Sequence, residues 1–137
     1  MKKINEEWLD NHISELKTIY KVLRDDSIEY LKQNEGLCIP QNQLDRVKFD
    51  DSHIQFKNEM KKYDVDLIRV IQSLFWVGRQ VRGKKPRKKG YKIINTYLDN
   101  DSKDNIIGYL SRKRPDVLLE NIERGLMLSG MLDRFKE

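Results

Sequence analysis

The chain contains no alanine, although alanine is among the commonest residues of globular proteins. Isoleucine, lysine and asparagine take its place, as in an A+T-rich coding sequence, and a phage or other mobile element of a low-GC bacterium is the expected source. Cysteine is almost as scarce: Cys38 alone excludes an intramolecular disulfide and a cysteine-built zinc site, and it fits a reducing, cytoplasmic setting. The two histidines, His12 and His53, are far apart and offer no helix-borne metal pair, so no metal, no cofactor and no enzymatic activity is expected. Long apolar runs are missing too. The longest, Val65 to Val77, is interrupted by Asp66, Arg69, Gln72 and Ser73, whereas a membrane span needs about 20 apolar residues. The opening "MKKINEEWLD" turns acidic where a signal peptide would be apolar, so export is not expected.

The most informative absence is local. Residues 1–66 carry 11 basic and 14 acidic residues, and residues 99–137 carry 7 and 8. Between them, residues 67–98 carry 9 basic residues and no acid at all. The net charge of +5 is therefore concentrated mid-chain, which is the electrostatic footprint of a polyanion site.

Within that stretch lies "GRQVRGKKPRKKG", whose first residues match G-x-x-x-x-G-K. A phosphate-cradling nucleotide loop needs a strand before its glycines and Ser or Thr after its lysine. Here an apolar, helix-like segment precedes, Lys85 takes the Ser/Thr place and Pro86 follows, so the nucleotide-loop reading fails. A nuclear import signal matters only in a eukaryotic nucleus, and an ordinary solvated loop would intersperse both signs of charge. A solvated loop that binds nothing in particular stays the plain alternative, and phosphate contact is the functional reading. Arg79, Arg82, Lys84, Lys85, Arg87, Lys88, Lys89 and Lys92 place eight cations within fourteen residues, with Gly83, Pro86 and Gly90 keeping residues 79–92 out of a helix. Tyr91 adjoins them and is expected to be exposed, and with Tyr97 and Tyr109 it offers an aromatic platform for unpaired bases.

Helical periodicity runs through the remainder, and the expected fold is an all-α, compact helical bundle forming one domain over 1–137, with at most a small hairpin. Leu9, Ile13, Leu16, Tyr20 and Leu23 make one amphipathic stripe, with Asn5 as N-cap and Ile4 placed to staple against Leu9. Asp26 and Glu29 sit at capping-box spacing, which predicts a fresh helix over 27–34 ended at Gly36, unless it runs on from the first. Pro40 opens a short helix or a loop, and Ser52 opens a helix that kinks near Asp64. From Val65 to Val81 that helix is apolar on nearly every side, and Leu67, Ile68, Ile71, Leu74, Phe75 and Trp76 are its expected core contribution. Ser102 caps the next helix, and Pro115 opens a long final one.

The segment "SKDNIIGYLSRKRPDVLLENIERGLMLSGML", residues 102–132, resembles a helix-turn-helix unit of the winged-helix kind. The resemblance implies a first helix from Lys103 to Leu110, the turn "SRKR", a recognition helix from Pro115 and a wing strand beginning at "SGML". A DNA-reading function follows from it, with DNA favoured over RNA, a palindromic target and a homodimer. Arg112, Lys113 and Arg114, at an electropositive helix start, suit phosphate contact.

Other constellations are weaker. His12 and Glu15 share a helix face as a solvated pair. "DNDSKDN" spaces Asp99 and Asp101 like calcium ligands, but Lys103 stands at a ligand position and Asp104 where glycine is needed. Nothing singles out Asp25, Asp26, Asp50 and Asp51 as a nuclease centre. Two functions remain: a small nucleic-acid-binding regulator or replication accessory gripping phosphates, or a protein-binding inhibitor or adaptor whose basic loop docks an acidic protein surface.

Overall fold

Asn5 ends the extended start of the chain by accepting a hydrogen bond from the Trp8 backbone N–H at 2.8 Å, and Ile4 and Leu9, flanking that cap, are both buried. This staple launches α1 (Glu6–Gln33), whose first turn places Glu6 and Glu7 at the electropositive helix end. In the computed structural model, which describes residues 3–33, 54–83, 85–86 and 90–136, the other helices are α2 (Ile54–Met60), α3 (Val65–Gln80), α4 (Tyr91–Thr96), α5 (Lys103–Ser111), α6 (Pro115–Leu128) and α7 (Leu132–Lys136). Among the described residues there is no strand, and the fold is all-α. A helix, α3, precedes Gly83, so the strand that a nucleotide loop requires is absent there.

α1 runs unbroken past Asp26. The capping-box spacing of Asp26 and Glu29 does not start a new helix, because burial of Leu23, Ser27 and Tyr30 holds the whole segment against the body of the molecule. Asp26 instead reaches across to α2, where its carboxylate accepts from the Phe56 backbone N–H in the first turn. It caps a neighbour rather than its own helix. The proposed helix ends at Gly36 and Ser52, and the segment around Pro40, lie outside the described residues.

Near Asp64 the chain breaks rather than kinks: α2 stops at Met60, a turn follows, and Asp64 accepts from the Val65 N–H to start α3. Lys103, from α5, donates to the carbonyls of Lys61 (2.7 Å) and Tyr63 (2.5 Å), satisfying acceptors that the end of α2 leaves open. α3 is the central helix, with Leu67, Ile68, Val70, Ile71, Leu74, Phe75 and Val77 all buried. Each such side chain contributes on the order of 1.5–3 kcal/mol by leaving water.

α6 lies against α3 at very short range. A Cβ added to Gly78 of α3 would fall 1.8 Å from the Asn121 carbonyl oxygen, and one added to Gly125 of α6 would fall 2.1 Å from that of Leu74. The two glycines thus let the backbones touch at adjacent levels of one crossing. α1 packs on the other side of α6, so that α6 is covered by α1, α3 and α7. No strand begins at the expected wing position: a turn at Ser129–Gly130 leads through Met131 into α7. Ser102 caps α5 by accepting from Asn105 N–H, and Pro115 occupies the first turn of α6, both as their sequence positions predict. The core is one continuous cluster running from Ile4 to Phe135. No helix among the described residues is long and apolar enough to cross a membrane.

Candidate nucleic-acid interface

The last turn of α3 carries Trp76, Arg79 and Gln80 on the side that the core leaves uncovered. Trp76 is half-buried rather than central: its ring stacks on that of Tyr109 in α5, with centroids 5.5 Å apart and planes 12° from parallel. Phe75 meets both rings edge-on, which fixes their orientation from below. Aromatic pairs of this geometry contribute about 0.5–1.5 kcal/mol beyond area burial.

Two basic segments converge on this stack. The Arg79 guanidinium lies 5.8 Å from the Trp76 ring centre, and its Nη1 donates to the Tyr109 hydroxyl at 3.5 Å. From the α5–α6 turn, Lys113 places its ammonium 4.6 Å from the Tyr109 ring centre and 5.9 Å from that of Phe75. Positions 79 and 113, distant in sequence, thereby flank one aromatic platform. Arg112, exposed beside Lys113, has no ion-pair partner among the described residues. Arg114 is engaged differently: it forms two hydrogen bonds to Asp116, at 3.0 and 3.2 Å, and lies over the Tyr30 ring. Its charge is largely neutralised in place.

The basic loop is anchored on the carboxyl end of α6. Arg124 donates to the carbonyls of Val81 and Gly83, both at 3.2 Å, locking the exit from α3. Gly83 has a φ of 141°, a conformation that side-chain-bearing residues rarely adopt, and it faces Leu128. Pro86 lies beside Gly130, and Gly90 packs so closely on Ser129 that a Cβ would sit 2.0 Å from its carbonyl oxygen. Arg82, Lys85 and Lys92 are exposed, without ion-pair partners among the described residues. Lys84, Arg87, Lys88 and Lys89 lie outside the described residues. Tyr91 is half-buried against the core rather than exposed, because Gly90 draws the start of α4 onto Ser129; it lines a pocket with Glu6, Asp10 and Arg134, apart from the Trp76 stack.

No family model, curated protein or solved structure matches the chain.

Beside the stack runs a groove of about 420 Å³ lined by Gln72, Trp76, Gln80, Tyr97, Asp99 and Tyr109, among others. Its far wall is the 97–101 segment, held in place by Arg69, which donates to the backbone carbonyls of Asn100 and Asp101 at 3.0–3.3 Å. Gln72 is only 4% exposed, and its Oε1 has no hydrogen-bond partner.

A second cationic stripe lies on α1. Lys17, Lys21 and Arg24, spaced i, i+4 and i+7 on α1, line a cleft of about 530 Å³ with Ser14 and Thr18. The acidic balance of residues 1–66 concealed it, although its helical spacing was legible. Metal chemistry gains no support: among the described residues no three His, Cys, Asp or Glu side chains gather to hold an ion. His12 pairs not with Glu15 but with its own helix, through a 2.8 Å contact from Nδ1 to the Trp8 carbonyl and a stack on the Trp8 ring. Asp101 accepts from Ser102 N–H and Asn105 Nδ2, acting as a turn former.

Proposed function

We propose that the protein is a non-enzymatic, cytoplasmic nucleic-acid-binding protein whose phosphate contacts come from Arg79, Arg82, Lys84, Lys85, Arg87, Lys88, Lys89 and Lys92 of the basic segment and from Arg112 and Lys113 of the α5–α6 turn. The convergence of Arg79 and Lys113 on the Trp76–Tyr109 stack supports this reading most directly, because it brings cations from two separate basic segments to one aromatic pair. Arg114, tied to Asp116, contributes position more than charge.

The surface grips; it does not read base edges through a groove-inserted helix. α6, the expected recognition helix, is packed against α1, α3 and α7, and Glu120, the one residue of it in the exposed class, carries a charge that opposes entry into a DNA groove. A regulator or replication accessory of modest sequence preference fits these features better than a palindrome-reading repressor.

Fluorescence anisotropy with labelled mixed-sequence DNA at low ionic strength tests the proposal, comparing the wild type with a variant in which Lys84, Lys85, Arg87, Lys88 and Lys89 are Ala. The wild type is expected to bind and the variant to bind much more weakly. Failure of the wild type to bind any DNA or RNA overturns the proposal and leaves an acidic protein surface as the partner of the loop.

A further inference from the structure

We infer that the groove beside the Trp76–Tyr109 stack takes an unpaired nucleobase of a single strand, an assignment that rests on the phosphate reading above and gives it a substrate class. Three observations carry it. The groove is lined by three aromatic side chains: Trp76 and Tyr109, which stack on each other, and Tyr97, whose ring has no aromatic or cationic partner among the described residues and can take a base of any sequence. Gln72, almost wholly buried at its edge, keeps an amide oxygen without a partner, and buried polar atoms in folded proteins are nearly always satisfied. A donor brought by a ligand, such as an exocyclic amino group, supplies what the protein withholds.

Charge orients the strand. Asp99 and Asp101 line the groove and repel phosphate while accepting from base N–H groups, whereas Arg79 and Lys113 lie over the Trp76 and Tyr109 rings and are not part of that lining. A strand entering base-first therefore leaves its backbone on the cationic side. A duplex cannot do this without unpairing, because its bases already stack on one another. It retains only the phosphate contacts.

The protein holds two tryptophans, and Trp8 stacks on His12 in α1, away from the groove, so the full-length Trp8→Phe variant leaves Trp76 as the sole tryptophan reporter. Its emission is followed while a mixed-sequence single strand, the matching duplex and adenosine monophosphate are titrated in. Saturable quenching by the single strand, with weaker binding and little quenching by the duplex, is expected. Trp76→Ala in the otherwise native chain is expected to lower single-strand affinity about 5- to 150-fold while leaving duplex affinity nearly unchanged. Tyr97→Ser, on the opposite wall, provides the same contrast should Trp76→Ala lose its helical circular dichroism. Equal binding of strand and duplex with unaltered Trp76 emission overturns the base-binding inference and leaves the phosphate reading standing. Absence of binding to either overturns both. Equal quenching by adenosine monophosphate at matched nucleotide concentration overturns the strand as the source of the base.

Discussion

Asp26 stands in the middle of α1 with 4% of its surface exposed, one oxygen without a partner and the Phe56 N–H donating to its carboxylate. Burial pushes its carboxyl up to about 6 from 3.8; the Phe56 N–H opposes the rise and the charge of Asp25 adds to it. A group whose folded-state pKa is raised stabilises the fold below its unfolded value, and that contribution is lost as pH rises through the folded value. The window is therefore pH 3.8 to about 6. At about 1.4 kcal/mol per pKa unit, ionising Asp26 in place costs about 3 kcal/mol by neutral pH. Asp26→Asn keeps an oxygen for the Phe56 N–H and removes the charge. Its added amide protons lack an acceptor, which costs about 1–3 kcal/mol, so the expected net gain at pH 7 is about 0–2 kcal/mol. Urea unfolding of both proteins from pH 3.5 to pH 7.5 reads the difference, which cancels the other titrating carboxylates. The advantage of Asn over Asp should grow by about 3 kcal/mol across the window and then level off. A difference that stays flat with pH would show that Asp26 is not a buried, destabilised carboxylate.

Glu59 has the opposite sign. The Tyr63 hydroxyl at 2.6 Å and the Lys62 ammonium at 2.9 Å donate to its carboxylate and hold its pKa below the ordinary value, so its contribution is present at neutral pH and lost on acidification. Glu59→Gln should flatten the acid limb of the stability profile, as urea midpoints below pH 5 would register. Gly125→Ala forces a Cβ to within 2.1 Å of the Leu74 carbonyl oxygen and should destabilise the fold by about 1–3 kcal/mol or more, measured as a lowered thermal midpoint; a neutral outcome would contradict the close α3–α6 crossing. Lys103→Met removes the donor to Lys61 and Tyr63 and should cost about 1–2 kcal/mol in the same assay.

Local signals were legible where the chain answers to its near neighbours. Asn5 with Ile4 and Leu9, Ser102 with Asn105, and Pro115 each act within a turn of their own position, and the structure places them as the sequence indicates. Asp26 shows the limit: its capping spacing is overruled by burial of Leu23, Ser27 and Tyr30, a tertiary effect that no local pattern records. Trp76 shows the same limit at the candidate site. On an all-round apolar helix it reads as core, and only the fold brings Tyr109 against it. The polar Arg79 and Gln80, at i+3 and i+4 from Trp76, are the signal that this side of α3 faces out. The anchoring role of Arg124 depends on α6 crossing the end of α3 and was not readable from spacing.

Phosphate contact by the basic loop is read directly by the slope of log affinity against log salt. Each phosphate contact on a duplex adds roughly 0.9 to the slope and on a single strand roughly 0.7. Compared in one salt series, the wild type should show a steep slope, and the variant lacking Lys84, Lys85, Arg87, Lys88 and Lys89 a slope shallower by roughly 2 or more. Identical slopes for the two proteins would place the phosphates elsewhere and contradict the account.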